Sequence, residues 1–181
     1  MVALSHFRWH PDHTARHTAT VRVTEAIRGS GDIDVAAQIW AEATAARDGD
    51  EEVADLSVSR PVIEAVLARS PESFVLIARA DDRAGSASAG FVAVRPSGEG
   101  RAEISYLGVR RGSWGRGVGE LQLRHSAARL AAAGYRTVAL SAYADNARAV
   151  TLYERLGWRP LGEPSPHPRT GKPEQCYVLE L

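Results

Sequence analysis

Three glycines, Gly115, Gly117 and Gly119, stand at alternate positions in the run WGRGVG, with Trp114 ahead of them and Arg116 and Val118 between them. Upstream lies the strand-like stretch RAEISYLGV, and downstream the helix-like stretch GVGELQLRHSAARLAAAG. A helix start offers unpaired N–H groups and the positive end of the helix dipole, which together attract an anion. Glycine adds the freedom to take positive φ and to let backbone approach a ligand closely. A pyrophosphate is the natural guest at such a junction. The nucleotide P-loop form does not apply, because Glu120 and Leu121 follow Gly119 where a Lys-Ser/Thr pair is required. The dinucleotide form G-x-G-x-x-G fails on spacing and on its late place in the chain. A bare glycine turn without a ligand is the alternative left open.

Two blocks of residues narrow the choice. The first is Leu107-Gly108-Val109 followed by Gly117 and Gly119, with Gly115 and Arg116 in the loop between. The second is Asn146-x-x-Ala149-x-x-Leu152-Tyr153-x-x-Leu156-Gly157-Trp158. At this separation they resemble the coenzyme-binding motif and the following helix motif of the GNAT superfamily of acyl-CoA-dependent N-acyltransferases. The resemblance covers about residues 20–181. It implies the family fold, an α/β (α+β) domain with one mixed, mostly antiparallel sheet of about seven strands flanked by about four helices. It also implies acetyl-CoA as co-substrate and no metal. The coenzyme would be held by Leu107, Gly108, Val109, Trp114, Gly115, Arg116, Gly117, Val118 and Gly119, with Asn146 and Tyr153 beside its pantetheine arm. One departure is visible: Trp114 stands where the family has Arg or Gln.

The chemistry that follows from the resemblance is attack of an amine on a thioester through a tetrahedral intermediate. An alkylamine with pKa near 10.4 is neutral about once in 2,500 at pH 7, a deficit of roughly 4.6 kcal/mol. A base, or a water chain leading to one, has to remove that proton. Glu103, on the strand ahead of the glycine loop, occupies the place where some family members put this base; a surface glutamate is the bland alternative. Backbone N–H groups of the Leu107–Val109 segment, Val109 first, would face the oxyanion, a contact worth about 3 kcal/mol. Tyr153 would protonate the leaving thiolate, and its alternative is a core aromatic on the helix face of Ala149, Leu152 and Leu156. Asn146 has a second reading as a helix cap. A small-molecule amine is the expected acceptor, ahead of a protein N-terminus or lysine, and a non-catalytic acyl-CoA-binding regulatory domain is the competing class. The acidic stretch with Asp48, Asp50, Glu51, Glu52 and Asp55 would draw a cationic amine or simply be solvated.

These residues require positioning elements, and the pattern supplies them. TVRVTEA alternates like a strand, DIDVAAQIWAEATAARDGD and VSRPVIEAVLARS have helical spacing, and SFVLIARA and AGFVAVRP read as strands around the turn-rich DDRAGSAS. RTVALSAY, WRPLGE and QCYVLEL are further strands, and DNARAVTLYERLG is a helix. The order is β-α-α-β-β-β-α-β-α-β-β. The 181 residues suffice for one core, and 44% apolar and 24% charged residues are ordinary for a globular chain. Lys plus Arg and Asp plus Glu are both 22, so charge gives no reason to expect nucleic acid or a membrane as partner. One cysteine, Cys176, excludes an internal disulfide. With no signal-peptide pattern in the first residues, a cytoplasmic location is expected. Residues 1–19 read as an extension to a domain at 20–181; Pro11 interrupts any helix that would gather His6, His10, His13 and His17 for a metal. A homodimer is the oligomer left open.

Overall fold

The computed structural model describes residues 20–26, 28–82 and 85–181. The histidine-bearing extension expected at 1–19 lies outside the described residues. Seven strands and four α-helices follow the anticipated order: β1 (Thr20–Glu25), α1 (Gly31–Asp48), α2 (Leu56–Ala68), β2 (Phe74–Asp82), β3 (Gly85–Gly98), β4 (Arg101–Val109), α3 (Val118–Ala132), β5 (Thr137–Tyr143), α4 (Ala147–Arg155), β6 (Arg159–Pro166) and β7 (Pro173–Glu180). They form one sheet in the order β1-β2-β3-β4-β5-β7-β6, antiparallel throughout except for the parallel pair β4/β5. Helix α3 is the crossover that a parallel pair needs.

Local chemistry sets the helix ends. Ser30 caps α1 by accepting from the Asp32 N–H, Asp32 and Asp34 lie in its first turn, and Gly49 ends it at φ 81°. Helix α2 starts at Leu56, earlier than its apolar pattern suggested, so Pro61 falls inside it and not in its first turn. The hairpins also run further than expected. β2 and β3 stay paired to Asp82↔Gly85, through small residues that read as a turn, with a bulge at Ala78/Arg79 re-setting the register. β6 continues into the proline-rich stretch, and its irregularity after Leu161 is tied down by buried Gln175, whose Nε2 donates to the Leu161 and Gly162 carbonyls.

Two cores cover the two faces of the sheet. On one, α1 and α2 pack Ile33, Ile39 and Ile63 against Val75, Ile77 and Phe91. On the other, α3 and α4 bring Leu123, Leu130 and Tyr153 onto Leu76, Val92, Ile104, Leu140 and Tyr177. Strand alternation divides β4 between them. Ile104 and Leu107 serve the α3/α4 face, and Tyr106 packs with the α1/α2 core.

Candidate active site

The sheet opens in its middle. β4 and β5 pair only from Arg101↔Thr137 to Ile104↔Leu140, although both strands continue beyond that point. The cause lies in β4. Its ladder to β3 passes from Ala93↔Tyr106 to Val94↔Ile104, leaving Ser105 as an extra, bulged residue where β5 departs. A bulge bends its strand and raises the local twist, which carries the end of β4 away from β5.

The opening leaves an edge of β4 unpaired, and the ladder says which groups line it. The Arg110 N–H donates to the Ala89 carbonyl of β3. Antiparallel alternation therefore turns the peptide groups of Val109 and Leu107 to the opposite side, into the opening. Gly108 belongs to the β3 ladder instead, and its missing side chain serves packing: a Cβ there would lie 2.6 Å from the Phe91 ring.

At the mouth of the opening, the chain turns through Arg111–Ser113 and enters α3. Gly115 and Gly117 have φ of 75° and 77°, the left-handed conformation that costs other residues about 1–2 kcal/mol. Gly117 is the N-cap of α3 and makes no side-chain cap bond, so the first-turn N–H groups are left to an outside acceptor. Among the described residues, nothing lies within 4 Å of where a Gly117 Cβ would sit. Gly119 has a different reason: a Cβ there would meet Leu152 of α4 at 3.3 Å. The alternate glycines therefore answer to two constraints, backbone conformation at Gly115 and Gly117 and close helix packing at Gly119.

Trp114 spans the mouth. Its indole N–H donates to the Val109 carbonyl at 2.7 Å, and the Arg148 guanidinium of α4 lies 4.7 Å from its ring, with Arg111 at 5.5 Å. The Trp114 ring thus meets two cations. Arg116 and Val109 also border a cavity of about 620 Å³, walled on its other side by Glu42, Val53 and Ala89. Arg110 and Glu42 pair across it.

Glu103 and Tyr153 lie on opposite faces of the sheet. Glu103 is one residue from Ile104 and so points to the α1/α2 face, half-buried, just below the point where the strands part. Arg95 of β3 donates to one of its oxygens at 2.6 Å, and the Ser105 hydroxyl is 3.4 Å from the other. Tyr153 is 6% exposed, with Tyr177 at 5.5 Å and Trp158 at 6.1 Å between ring centres. Burial pushes its phenol up to about 12, so the proton stays on through the neutral range. Asn146 caps α4, its side chain accepting from the Ala149 N–H at 3.3 Å. Sequence reasoning gave no sign of the Trp114 bond to Val109 or of the Arg95 partner, since both are contacts between side chain and strand that only the fold creates.

Comparison with known proteins agrees with this geometry. The profile described as "Acetyltransferase (GNAT) family" matches residues 35–158. An acetyltransferase from Thermus thermophilus superposes with a TM-score of 0.69 at 18% identity, covering 92% of this chain and 100% of that one. The ribosomal-protein-S18-alanine N-acetyltransferase of Escherichia coli gives 0.68 at 16% identity, covering 89% and 94%. A Bacillus subtilis acetyltransferase in complex with CoA gives 0.65 at 14% identity, covering 90% and 99%. No curated protein matches the sequence. Among the described residues no helix is long and apolar enough to cross a membrane.

Proposed function

Because the chain belongs to the GNAT acetyltransferase family, we propose that it transfers the acetyl group of acetyl-CoA to a primary amine of a small molecule. The observation that carries this reading is the parting of β4 and β5 after Ile104↔Leu140, directly beneath the uncapped N-terminus of α3. Acetyl-CoA supplies an activated thioester carbonyl. The residues present fit it: the first-turn amides of α3, freed of side-chain caps and approached through Gly117, suit a pyrophosphate. The inward-facing peptide groups of Leu107 and Val109 suit a pantetheine arm and the charge that develops on the thioester oxygen.

The amine comes from the α1/α2 face, where Glu103 takes its proton directly or through water. Arg95 and Ser105 fix that carboxylate in one orientation. Tyr153, on the other face, keeps its proton at neutral pH and gives it to the departing sulfur. Asn146 acts by fixing the start of the helix that carries Tyr153.

The acceptor is the less determined half. The E. coli neighbour acts on the alanine terminus of a ribosomal protein, so a protein N-terminus is the second reading. Thiol release from acetyl-CoA against a panel of small amines and of short peptides with free N-termini separates the two. Turnover of small amines in preference to every peptide is the expected result. Preference for a peptide would replace the small-molecule reading, and CoA binding without turnover of any amine would favour a regulatory domain.

A further inference from the structure

On the α1/α2 face, the end of β5 is enclosed by cations. The ladder sets Glu103 beside Ala139, and strand alternation carries Ser141 and Tyr143 along the same face. Tyr143 is the last residue of β5 and is buried. The Arg47 guanidinium of α1 lies 4.7 Å from its ring centre, and the Lys172 ammonium of the β6–β7 loop lies 5.3 Å from it. His167 of the same loop packs edge-on at 5.3 Å, and the Tyr143 hydroxyl shares a hydrogen bond with Thr170 at 3.0 Å. Tyr143 stands four residues beyond Ala139 and past the last β4/β5 pair, so this cluster lies on the stretch of β5 that has parted from β4.

The charges that meet here do not cancel. Asp48, 9% exposed on its side chain, accepts from Arg47 at 2.8 Å and from Arg169 at 2.7 Å. Glu174 faces Tyr143 across the β5/β7 ladder and acts on Arg47. Three cations, Arg47, Arg169 and Lys172, thus meet two carboxylates, leaving one positive charge in excess, apart from His167. Lys172 carries it, having no carboxylate within salt-bridge distance among the described residues. It is also the one lysine of the chain beside 21 arginines. An ammonium on a flexible stem is a mobile point charge, suited to meeting a small anion from several directions.

Resting on the acetyltransferase reading above, we infer that the acceptor is an amine that also carries a carboxylate, and that Lys172 receives this carboxylate while the amine is turned toward the β4 edge. Tyr143 stands about 13 Å of strand from the level of Glu103, at roughly 3.3 Å per residue. A molecule with its cationic and anionic groups a few bonds apart therefore meets Lys172 with its carboxylate and reaches Glu103 only through intervening water. A neutral hydrophobic amine gains nothing from Lys172.

The test uses matched acceptors, an amino acid and its carboxamide, with thiol release from acetyl-CoA as the readout. The carboxylate member should show kcat/KM at least about tenfold above the amide, and Lys172→Gln should remove most of that difference while leaving the amide's rate unchanged. Lys172→Arg should keep at least half of the preference. A second readout needs no turnover. Because the chain has one lysine, an amine-selective reagent followed by peptide mass mapping reports on Lys172, and the amino acid should slow its modification severalfold where the amide does not. Equal rates for the two acceptors, or a carboxylate preference that survives in Lys172→Gln, would overturn the inference and leave the acetyltransferase reading intact. Retained CoA binding with no thiol release from either acceptor or from any neutral amine would overturn that underlying reading instead.

Discussion

Each of the two residues proposed to handle protons has a surrounding that sharpens its expected behaviour. Tyr153 is anchored by Tyr177 and Trp158, so Tyr153→Phe keeps the packing and should change stability by no more than about 1 kcal/mol. Turnover should fall by roughly 10²-fold, the scale for losing a positioned general acid, with CoA affinity unchanged. A thioester with a more acidic leaving thiol should recover part of that loss; equal damage with both donors would return Tyr153 to the core. The raised phenol adds a pH expectation. Its ordinary value is 10.0 and the folded value is about 12, so the stability it contributes is present below pH 10 and lost as pH rises toward 12. Alkaline unfolding of Tyr153→Phe should therefore lack the part of the wild-type decline that falls between pH 10 and 12. Glu103→Gln should cost most at neutral pH and least at high pH, where free amine is abundant. A pH–rate curve that is merely scaled down would make Glu103 a positioning group. Arg95→Met leaves the carboxylate and removes its anchor, so it should raise KM for the amine more than it lowers kcat.

At the scale of elements, the glycine loop was the most legible feature of the chain, because its signal is a backbone signal. Bare alternate positions at a strand-to-helix junction announce positive φ and exposed amides, and Gly115 and Gly117 have that conformation. Gly119 was read the same way, but its constraint is the Leu152 side chain of another helix, which no local pattern reveals. The parting of β4 from β5 was not legible in the residues, since the bulge at Ser105 leaves no mark in the polar–apolar alternation. The extended β2–β3 hairpin was missed for the opposite reason: its Ser, Ala and Gly residues look like turn chemistry yet hold ladder positions. The two kinds of glycine predict different damage. Gly117→Ala should cost about 1–2 kcal/mol of stability through its φ and weaken CoA binding by distorting the first-turn amides. Gly119→Ala has ordinary helical backbone, so its effect should depend on how far Leu152 can yield. Pairing it with Leu152→Ala should restore stability and CoA affinity together, and a double mutant no better than Gly119→Ala would show that the methyl obstructs the coenzyme itself.

For the molecule as a whole, the sheet is open at its centre, and what joins its two halves on the proposed acceptor side is a strap outside the sheet. Arg169 of the β6–β7 loop reaches Asp48 at the end of α1, across 121 residues of sequence, and Arg47 donates to both oxygens of the same carboxylate. The sequence places Asp48 in an acidic loop that either draws a cationic acceptor or is simply solvated. In the fold it is spent on two guanidinium groups, while Asp50 and Glu51 line the cavity beside Arg116, and Glu52 and Asp55 are exposed. The Arg47 guanidinium, with Arg169 behind it, holds the Asp48 carboxyl at about 2 against an ordinary 3.8. A depressed carboxylate stabilises the fold fully above its unfolded value and loses that contribution as pH falls through the folded one. The strap should therefore be intact above pH 4, weaken as pH falls toward the folded value near 2, and be gone only below it. Arg169 is largely exposed, so screening reduces the contribution to about 1 kcal/mol, or roughly 3 °C in Tm for a domain of this size. Asp48→Asn should melt lower than wild type by that margin at pH 7, with most of the gap closed by pH 2 and the two converging below it. It should also raise KM for the acceptor while leaving CoA affinity alone, because the strap borders only the amine side. A constant gap in melting temperature from pH 7 to pH 2 would mean that Asp48 acts by shape and hydrogen bonding and not through its charge.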